Sequence, residues 1–349
     1  MKGAVTVFFY AKKLTRRPPL PKVSSFEKCN GSAGLAFIMK RVVVFGGSGF
    51  VGRYITKKLA NLNCVIKIVC RDLDAANQLK VCGNLGQISV SQCNLSDEKS
   101  IKNCIDGSEF VINLIGIIEE DKKYTFEKIH HIAAKQIAKA AAECDVKGLV
   151  HFSAIANKNT KYGSSKLQGE IAVKKAFNDA IIVRPSVIFG QEDNFFNLFA
   201  TIAKKIRVLP LVCRGRSLLQ PVYVADVAEF VCSALFKEGC KGCSYDLVGP
   251  QRYSLKEIML FVRETLSIKC FLVPLPYYLA LFKAFFLESS LLKPLNKFLT
   301  GSTRAMLTRD QVKSLCFDSV SDDNCMEKMG IRAKTIQEIV PQYIKGLHG

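Results

Sequence analysis

Tyr162 and Lys166 stand four residues apart in Tyr162-Gly163-Ser164-Ser165-Lys166. One helical turn converts that spacing into a shared face. The pair has a definite chemistry. A free phenol titrates near pH ~10 and exchanges protons poorly at neutrality. A neighbouring ammonium, together with an oxidised nicotinamide, would lower it into a range useful for general acid–base catalysis. The lysine can also hydrogen-bond a ribose. Tyrosine and lysine at this spacing occur on helices by chance too, so the pair gains weight only from its place in a fold.

A second cluster offers a seat for a dinucleotide. Gly46-Gly47-Ser48-Gly49-Phe50-Val51-Gly52 follows the β-branched run Arg41–Phe45. It opens a segment in which Val51, Ile55, Leu59 and Leu62 recur at helical spacing. Gly46, Gly49 and Gly52 fit G-x-x-G-x-x-G: one glycine for the tight turn, one for approach to a pyrophosphate, one for helix packing. The first turn of the helix then presents unpaired N–H groups and its positive end to phosphate. Ser48, Phe50 and Arg53 belong to the same loop and helix start. Cys70-Arg71-Asp72 closes the next strand. Arg71 and Arg53 favour a 2′-phosphate, hence NADP(H), while Asp72 keeps NAD(H) open. Asn94, Asn113, Gly116 and Pro185 complete the cofactor-binding set, each just past or at the end of a predicted strand.

The elements that must position these groups alternate strictly. Strands are predicted at Arg41–Phe45, Val65–Cys70, Ile88–Gln92, Phe110–Ile115, Leu149–Phe152 and Ala180–Val183. Helices fall between them, at Phe50–Leu62, Leu73–Val81, from Ser96 and Asp97 onward, Thr125–Cys144 and Ser164–Phe177. Such alternation predicts an α/β fold: a Rossmann-type, doubly wound parallel sheet with ligands at the strand C-terminal edge. Beyond Pro185 the pattern loosens into helices at Asn194–Ile206, Val227–Phe236 and Ser254–Leu266 and a strand at Ser244–Val248. The expected organisation is a basic, disordered extension over 1–38, a nucleotide-binding domain over 39–250, and a smaller C-terminal substrate-side lobe over 251–349. Within 1–38 seven Lys/Arg face one acid, Glu27, which fits a targeting presequence or an upstream start before Met39.

The formal charge of +20 suits anionic partners, yet no zinc-finger spacing or RNP-like strand accompanies it, so nucleic acid is not expected. The 14 cysteines are scattered and read as free thiols; the close pair Cys240 and Cys243 lacks a second pair for a structural zinc. No apolar run is long enough to span a bilayer. Tyr277–Leu292 sets Tyr278, Leu281, Phe282, Phe285 and Phe286 at helical spacing, with Lys283, Lys293 and Lys297 nearby. It reads either as core or as a face lying on a membrane or membrane complex. His130 and His131 are assigned to packing or surface, since no carboxylate partner is evident. Asp226 is read as a helix cap.

Taken together, the glycine loop, Asn113-Leu114-Ile115-Gly116 and the Tyr162/Lys166 pair resemble the short-chain dehydrogenase/reductase superfamily. Pro221–Ala228 is similar to a P-V-Y-V-x-D-V-A stretch of its extended members, the sugar-nucleotide epimerases and dehydratases. A narrower resemblance runs through Arg184–Asn197, Val273–Pro276 and Leu307–Val312. These segments resemble the NADPH-binding accessory subunits of respiratory complex I (alpha subcomplex subunit 9) and their bacterial relatives. That resemblance implies a tightly held NADPH serving structure or assembly rather than turnover. It implies a place on the matrix side of the mitochondrial inner membrane, or at the cytoplasmic face of the inner membrane in a bacterium. One departure bears on chemistry. Active members carry a serine or threonine beside the tyrosine, whereas this chain reads Ser153-Ala154-Ile155-Ala156. Ser153 lies too early to reach a nicotinamide, and a missing polarising donor can cost ~3–4 kcal/mol. A soluble reductase, epimerase or dehydratase using Tyr162 and Lys166 is the alternative.

Overall fold

The computed structural model describes residues 39–276, 309–323 and 325–346. The extension at 1–38 and the amphipathic segment Tyr277–Leu292 lie outside them. Among the described residues seven parallel strands form one sheet in the order β3-β2-β1-β4-β5-β6-β7. The strands are β1 (Arg41–Phe45), β2 (Val65–Cys70), β3 (Ile88–Gln92), β4 (Phe110–Asn113), β5 (Gly148–Phe152), β6 (Ile181–Pro185) and β7 (Ser244–Leu247). Strand order reverses between β1 and β4. Loops leaving neighbouring strands at such a point run to opposite faces and open a crevice.

The sheet is buried on both faces because its strands are apolar on both. Val42 and Val44 of β1 join Ile55, Leu59 and Ile68 in one cluster, while Val43 and Phe45 join Ile101, Val111 and Ile137 in the other. The helices supply the facing stripes: α1 (Phe50–Asn61), α2 (Leu73–Asn77), α3 (Glu98–Ile105), α4 (Ala134–Glu143), α5 (Lys161–Ala176), α6 (Phe196–Ile206), α7 (Val224–Leu235) and α8 (Leu255–Leu266). Asp97 caps α3 by accepting from the N–H of Lys99 and Ser100. Ser254 and Glu257 form a reciprocal capping box on α8. The expected long helix at Thr125–Cys144 divides: Glu127–Ala133 is a π-helical turn leading into α4. A π turn shifts the helical register and is common at functional sites.

A third apolar cluster lies beyond the sheet. It joins Phe189, Phe196, Phe199 and Leu209 to Leu255, Met259 and, from the C-terminal stretch, Ile336 and Ile344. The Phe189–Asn197 stretch is organised by one carboxylate. Asp193, 3% exposed, accepts from the backbone N–H of Gly190, Phe195 and Asn197, and from the Tyr343 hydroxyl at 2.5 Å.

Two expectations are corrected here. Cys213 and Cys316 form a disulfide with Cα atoms 5.6 Å apart, so not every thiol is free. They are 103 residues apart, and only the tertiary fold brings them together. Asp226 does not cap α7 as its first flanking residue. It sits inside the first turn, 7% exposed, and accepts from the Lys334 N–H at 2.7 Å, tying the C-terminal stretch to the helix.

Candidate functional site

The glycine turn stands at the C-terminal end of β1, at the point of reversal. Gly46 has φ +79°, and a Cβ there would meet the Leu114 carbonyl carbon at 3.3 Å, so the loops after β1 and β4 nearly touch. Gly52 is the tightest of the turn's glycines. A Cβ on it would lie 2.5 Å from the Gly46 carbonyl oxygen and 2.6 Å from Gly47 Cα. That closeness lets α1 begin directly against the turn. Gly49 flanks the helix without a side-chain cap, and no acid occupies the first turn. The helix start therefore remains open to an anion, whose charge its dipole would favour. These features fit a dinucleotide diphosphate.

Around this turn the predicted residues fall into place unevenly. Ser48 lies beside the Cys70 thiol at the end of β2. Phe50 packs edge-on to Tyr54, 6.0 Å between centroids. Arg53 is 3.4 Å from Glu192, and its Nε is buried with no hydrogen-bond partner. Arg71 is exposed and rests 4.6 Å from the Tyr124 ring centroid. Asp72, the residue that kept NAD open, spends one carboxylate oxygen on capping α2, accepting from Ala75 N–H at 3.0 Å. Asn94 shapes its own loop by accepting from Ser96 N–H. Asn113 is 2% exposed; its Oδ1 accepts from Ile115 N–H and its Nδ2 donates to His151 Nδ1 at 3.2 Å. It holds the β4 loop in shape. Pro185 ends β6, and its carbonyl accepts from Ile155 N–H.

Tyr162 and Lys166 both lie on α5, which starts three residues before the predicted Ser164 because Thr160 caps it, accepting from Gly163 N–H. Lys166 is 6% exposed and donates to the Phe152 carbonyl at 3.2 Å. Its Nζ lies under the β4 loop, 3.1 Å from where a Cβ on Gly116 would stand. Burial lowers the ammonium to about 8. The expected lowering of the phenol calls for an oxidised nicotinamide as well as the ammonium. Burial pushes Tyr162 up to about 12, and Lys166, 6.0 Å from the ring centroid and engaged with a carbonyl, does not bring it down. Ser153 is still in the sheet ladder, donating its N–H to Val183, and its hydroxyl is buried without a partner.

Sequence reasoning assigned the histidines to packing or surface but named no partners for them. His130, 1% exposed, accepts the Ile117 N–H on Nε2 at 3.0 Å and faces Ser165 Oγ through Nδ1 at 2.8 Å. Because Ser165 donates its hydroxyl proton to the Tyr162 carbonyl, Nδ1 must carry the imidazole hydrogen. Neutral His130 thereby bolts the β4 loop to the first turns of α5. Desolvation first, then Lys166, holds it down to about 2. His131 does have a carboxylate partner, Glu127 one turn earlier at 2.7 Å. That i,i+4 pairing was visible in the sequence.

A doubly wound parallel sheet, a glycine turn at its switch point and a Tyr–Lys helix beside it define the extended short-chain dehydrogenase class. Known proteins agree. Residues 43–160 match the 3-beta hydroxysteroid dehydrogenase/isomerase family. The solved UDP-glucose 4-epimerase of Thermus thermophilus, in complex with NAD, superposes with TM-score 0.64 at 16% identity, covering 88% of this chain and 100% of that one. At that identity the likeness speaks for fold alone. The Arabidopsis thaliana mitochondrial NADH dehydrogenase (ubiquinone) 1 alpha subcomplex subunit 9 is 30% identical over 311 residues, 87% of this chain and 75% of its own length. The Mus musculus protein of the same name is 36% identical over 224 residues, 63% of this chain. The chain belongs to the NADH dehydrogenase (ubiquinone) 1 alpha subcomplex subunit 9 family. Its match spans 59% of the length of the mouse relative. Among the described residues no helix is long and apolar enough to cross a membrane.

Proposed function

We propose that this chain binds NADP(H) and serves as an accessory component of respiratory NADH:ubiquinone oxidoreductase, with little or no turnover. The observation that carries the reading is family membership along most of the chain. In a eukaryote the reading puts the protein on the matrix side of the inner membrane; in a bacterium, at the cytoplasmic face, as a peripheral component. Gly46, Gly49 and Gly52 with the start of α1 would hold the diphosphate, and Arg53 and Arg71 the 2′-phosphate. Asn113, Gly116 and Pro185 would wall the nicotinamide side, and Lys166 would reach the ribose. A bound NADPH supplies a hydride donor. Two features of the chain support little turnover: burial raises the Tyr162 phenol, and Ser153, the nearest hydroxyl after β5, sits back at the sheet, its N–H donated to the Val183 carbonyl.

The preference for NADP(H) is tested at Arg71. Arg71→Ser should weaken NADPH binding roughly 10- to 100-fold, the loss of a charge-assisted phosphate contact, while NADH affinity stays within about twofold. Titration of both nucleotides, followed by the fluorescence of their own reduced nicotinamide, reads this directly. Equal losses for both would remove the assignment of Arg71.

The role is tested by native electrophoresis of source membranes together with single-turnover assays. The protein should migrate with the respiratory complex. Purified protein should oxidise NADPH with added carbonyls far below the ~1–1,000 s⁻¹ of ordinary enzymes. The intact Tyr162/Lys166 pair motivates a second reading, a soluble reductase or epimerase. Rapid turnover abolished in Tyr162→Phe, from a protein absent from the complex, would establish that reading instead.

A further inference from the structure

The Arg309–Ser321 stretch lies against the Tyr162 site although nothing local connects them. Asp310 presents its carboxylate to the start of α5: Oδ1 accepts from Lys161 N–H at 3.1 Å and Oδ2 from Tyr162 N–H at 3.0 Å. Thr160 already accepts from Gly163 N–H. The carboxylate thus completes the donors that a helix start leaves open, in the turn that carries Tyr162. Farther along, Ser319 donates its hydroxyl to the Ile155 carbonyl in the β5–α5 loop, and its own carbonyl accepts from Ser186 Oγ at 2.7 Å, just past β6. One short stretch therefore touches the site at three places.

Between those contacts the stretch is pinned covalently. Cys316 is bonded to Cys213, in the short turn after Val208–Val212. Val312 packs on Val212 beside it, and Ser217 Oγ donates to the Leu315 carbonyl at 2.6 Å. Past the bond the stretch is held in its own right: Ser319 donates its N–H to the Leu218 carbonyl and its carbonyl accepts from Gln220 N–H, Asp318 accepts from Leu218 N–H, and Ser321 N–H donates to Gln220 Oε1. Before the bond the apolar support is small: Val212 and Val312 are fully buried, and Leu315 packs half-buried against the third cluster. That first half, Arg309–Cys316, is the part whose hold depends on the bond.

We propose that Arg309–Cys316 is a redox-latched strap: Asp310 is a positioning residue for the Tyr162 turn of α5, and the Cys213–Cys316 disulfide keeps it in place. Reduction by a dithiol breaks the S–S bond. Two electrons and two protons pass from the reductant, which becomes its own disulfide, and leave two thiols. The strap then loosens, Asp310 leaves the helix start, and the turn bearing Tyr162 frays. The effect on nucleotide affinity rests on the reading under Proposed function; the effect on the helix does not.

The experiment is amide hydrogen exchange on the full chain, oxidised, reduced and re-oxidised, with and without NADPH. Peptide mapping without reductant should recover a Cys213–Cys316 cross-linked pair. Reduction should speed exchange at Lys161 and Tyr162 by roughly tenfold or more, with β1 and β4 unchanged. Re-oxidation should restore the slow rate, a rescue that a general loss of structure would not give. Asp310→Asn, tested with the disulfide intact, should speed the same two amides. Finding Cys213 and Cys316 as free thiols in the native protein would overturn the proposal. So would unchanged exchange at both amides after complete reduction. If exchange responds but no nucleotide binds in any state, the cofactor reading fails and the strap stands.

Discussion

Gly52→Ala is expected to weaken dinucleotide binding by at least ~100-fold, about 2.7 kcal/mol. The new methyl would be 2.5 Å from the Gly46 oxygen and 2.6 Å from two backbone atoms of Gly47. None of those atoms is the end of a flexible side chain, so α1 or the turn has to move. Movement of either takes the helix N–H groups off the diphosphate they are placed to meet. Overpacking of this kind also costs about 1–3 kcal/mol of stability. Calorimetric titration with NADPH, alongside urea unfolding of the same variant, separates the two effects. A folded Gly52→Ala protein that binds as tightly as the parent would show that the turn does not grip the ligand.

The second large effect is acid destabilisation. His130 is held down to about 2 and His151 to about 3, in both cases by burial first and by Lys166 after it. An unfolded histidine takes up its proton near pH ~6.5. Between these limits the unfolded chain binds two protons that the folded chain refuses, so stability is full above pH ~7 and declines as pH falls. From pH 7 to pH 5 the loss is about 2 kcal/mol for each imidazole and about 4 kcal/mol for both. Urea unfolding at a series of pH values checks this. In His130→Gln, whose amide can accept from Ile117 and donate to Ser165, the slope should fall by about half. An unchanged slope would mean His130 is charged or accessible in the native protein.

How much of this was open to reading from residues alone differs by element. β1, β2 and β3 match their predicted bounds because each is a short β-branched run closed by glycine or polar residues. β4 is shorter than its apolar run: Leu114 and Ile115 leave the strand for the loop that meets Gly46, yet still pack on the two faces of the core. The π turn at Glu127–Ala133 keeps an apolar spacing that an α-helix would also show. The glycine turn was legible because its chemistry is local. The polar framework of the site was not. His130 meets Ser165 35 residues away, and Asp310 meets Tyr162 148 residues away. Such pairs leave no periodic trace. The spacing gave Tyr162 and Lys166 their shared face, but not their burial or the Phe152 carbonyl to which the lysine donates.

The central claim is that the start of α1 holds a phosphorylated dinucleotide. Native protein should be isolated without added cofactor, its bound small molecule released by denaturation, and that molecule identified and counted by mass spectrometry. The account predicts NADP(H), near one per chain, and its loss from Gly52→Ala. Protein that is well folded, carries no dinucleotide and takes up neither NADPH nor NADH at millimolar concentration would contradict it.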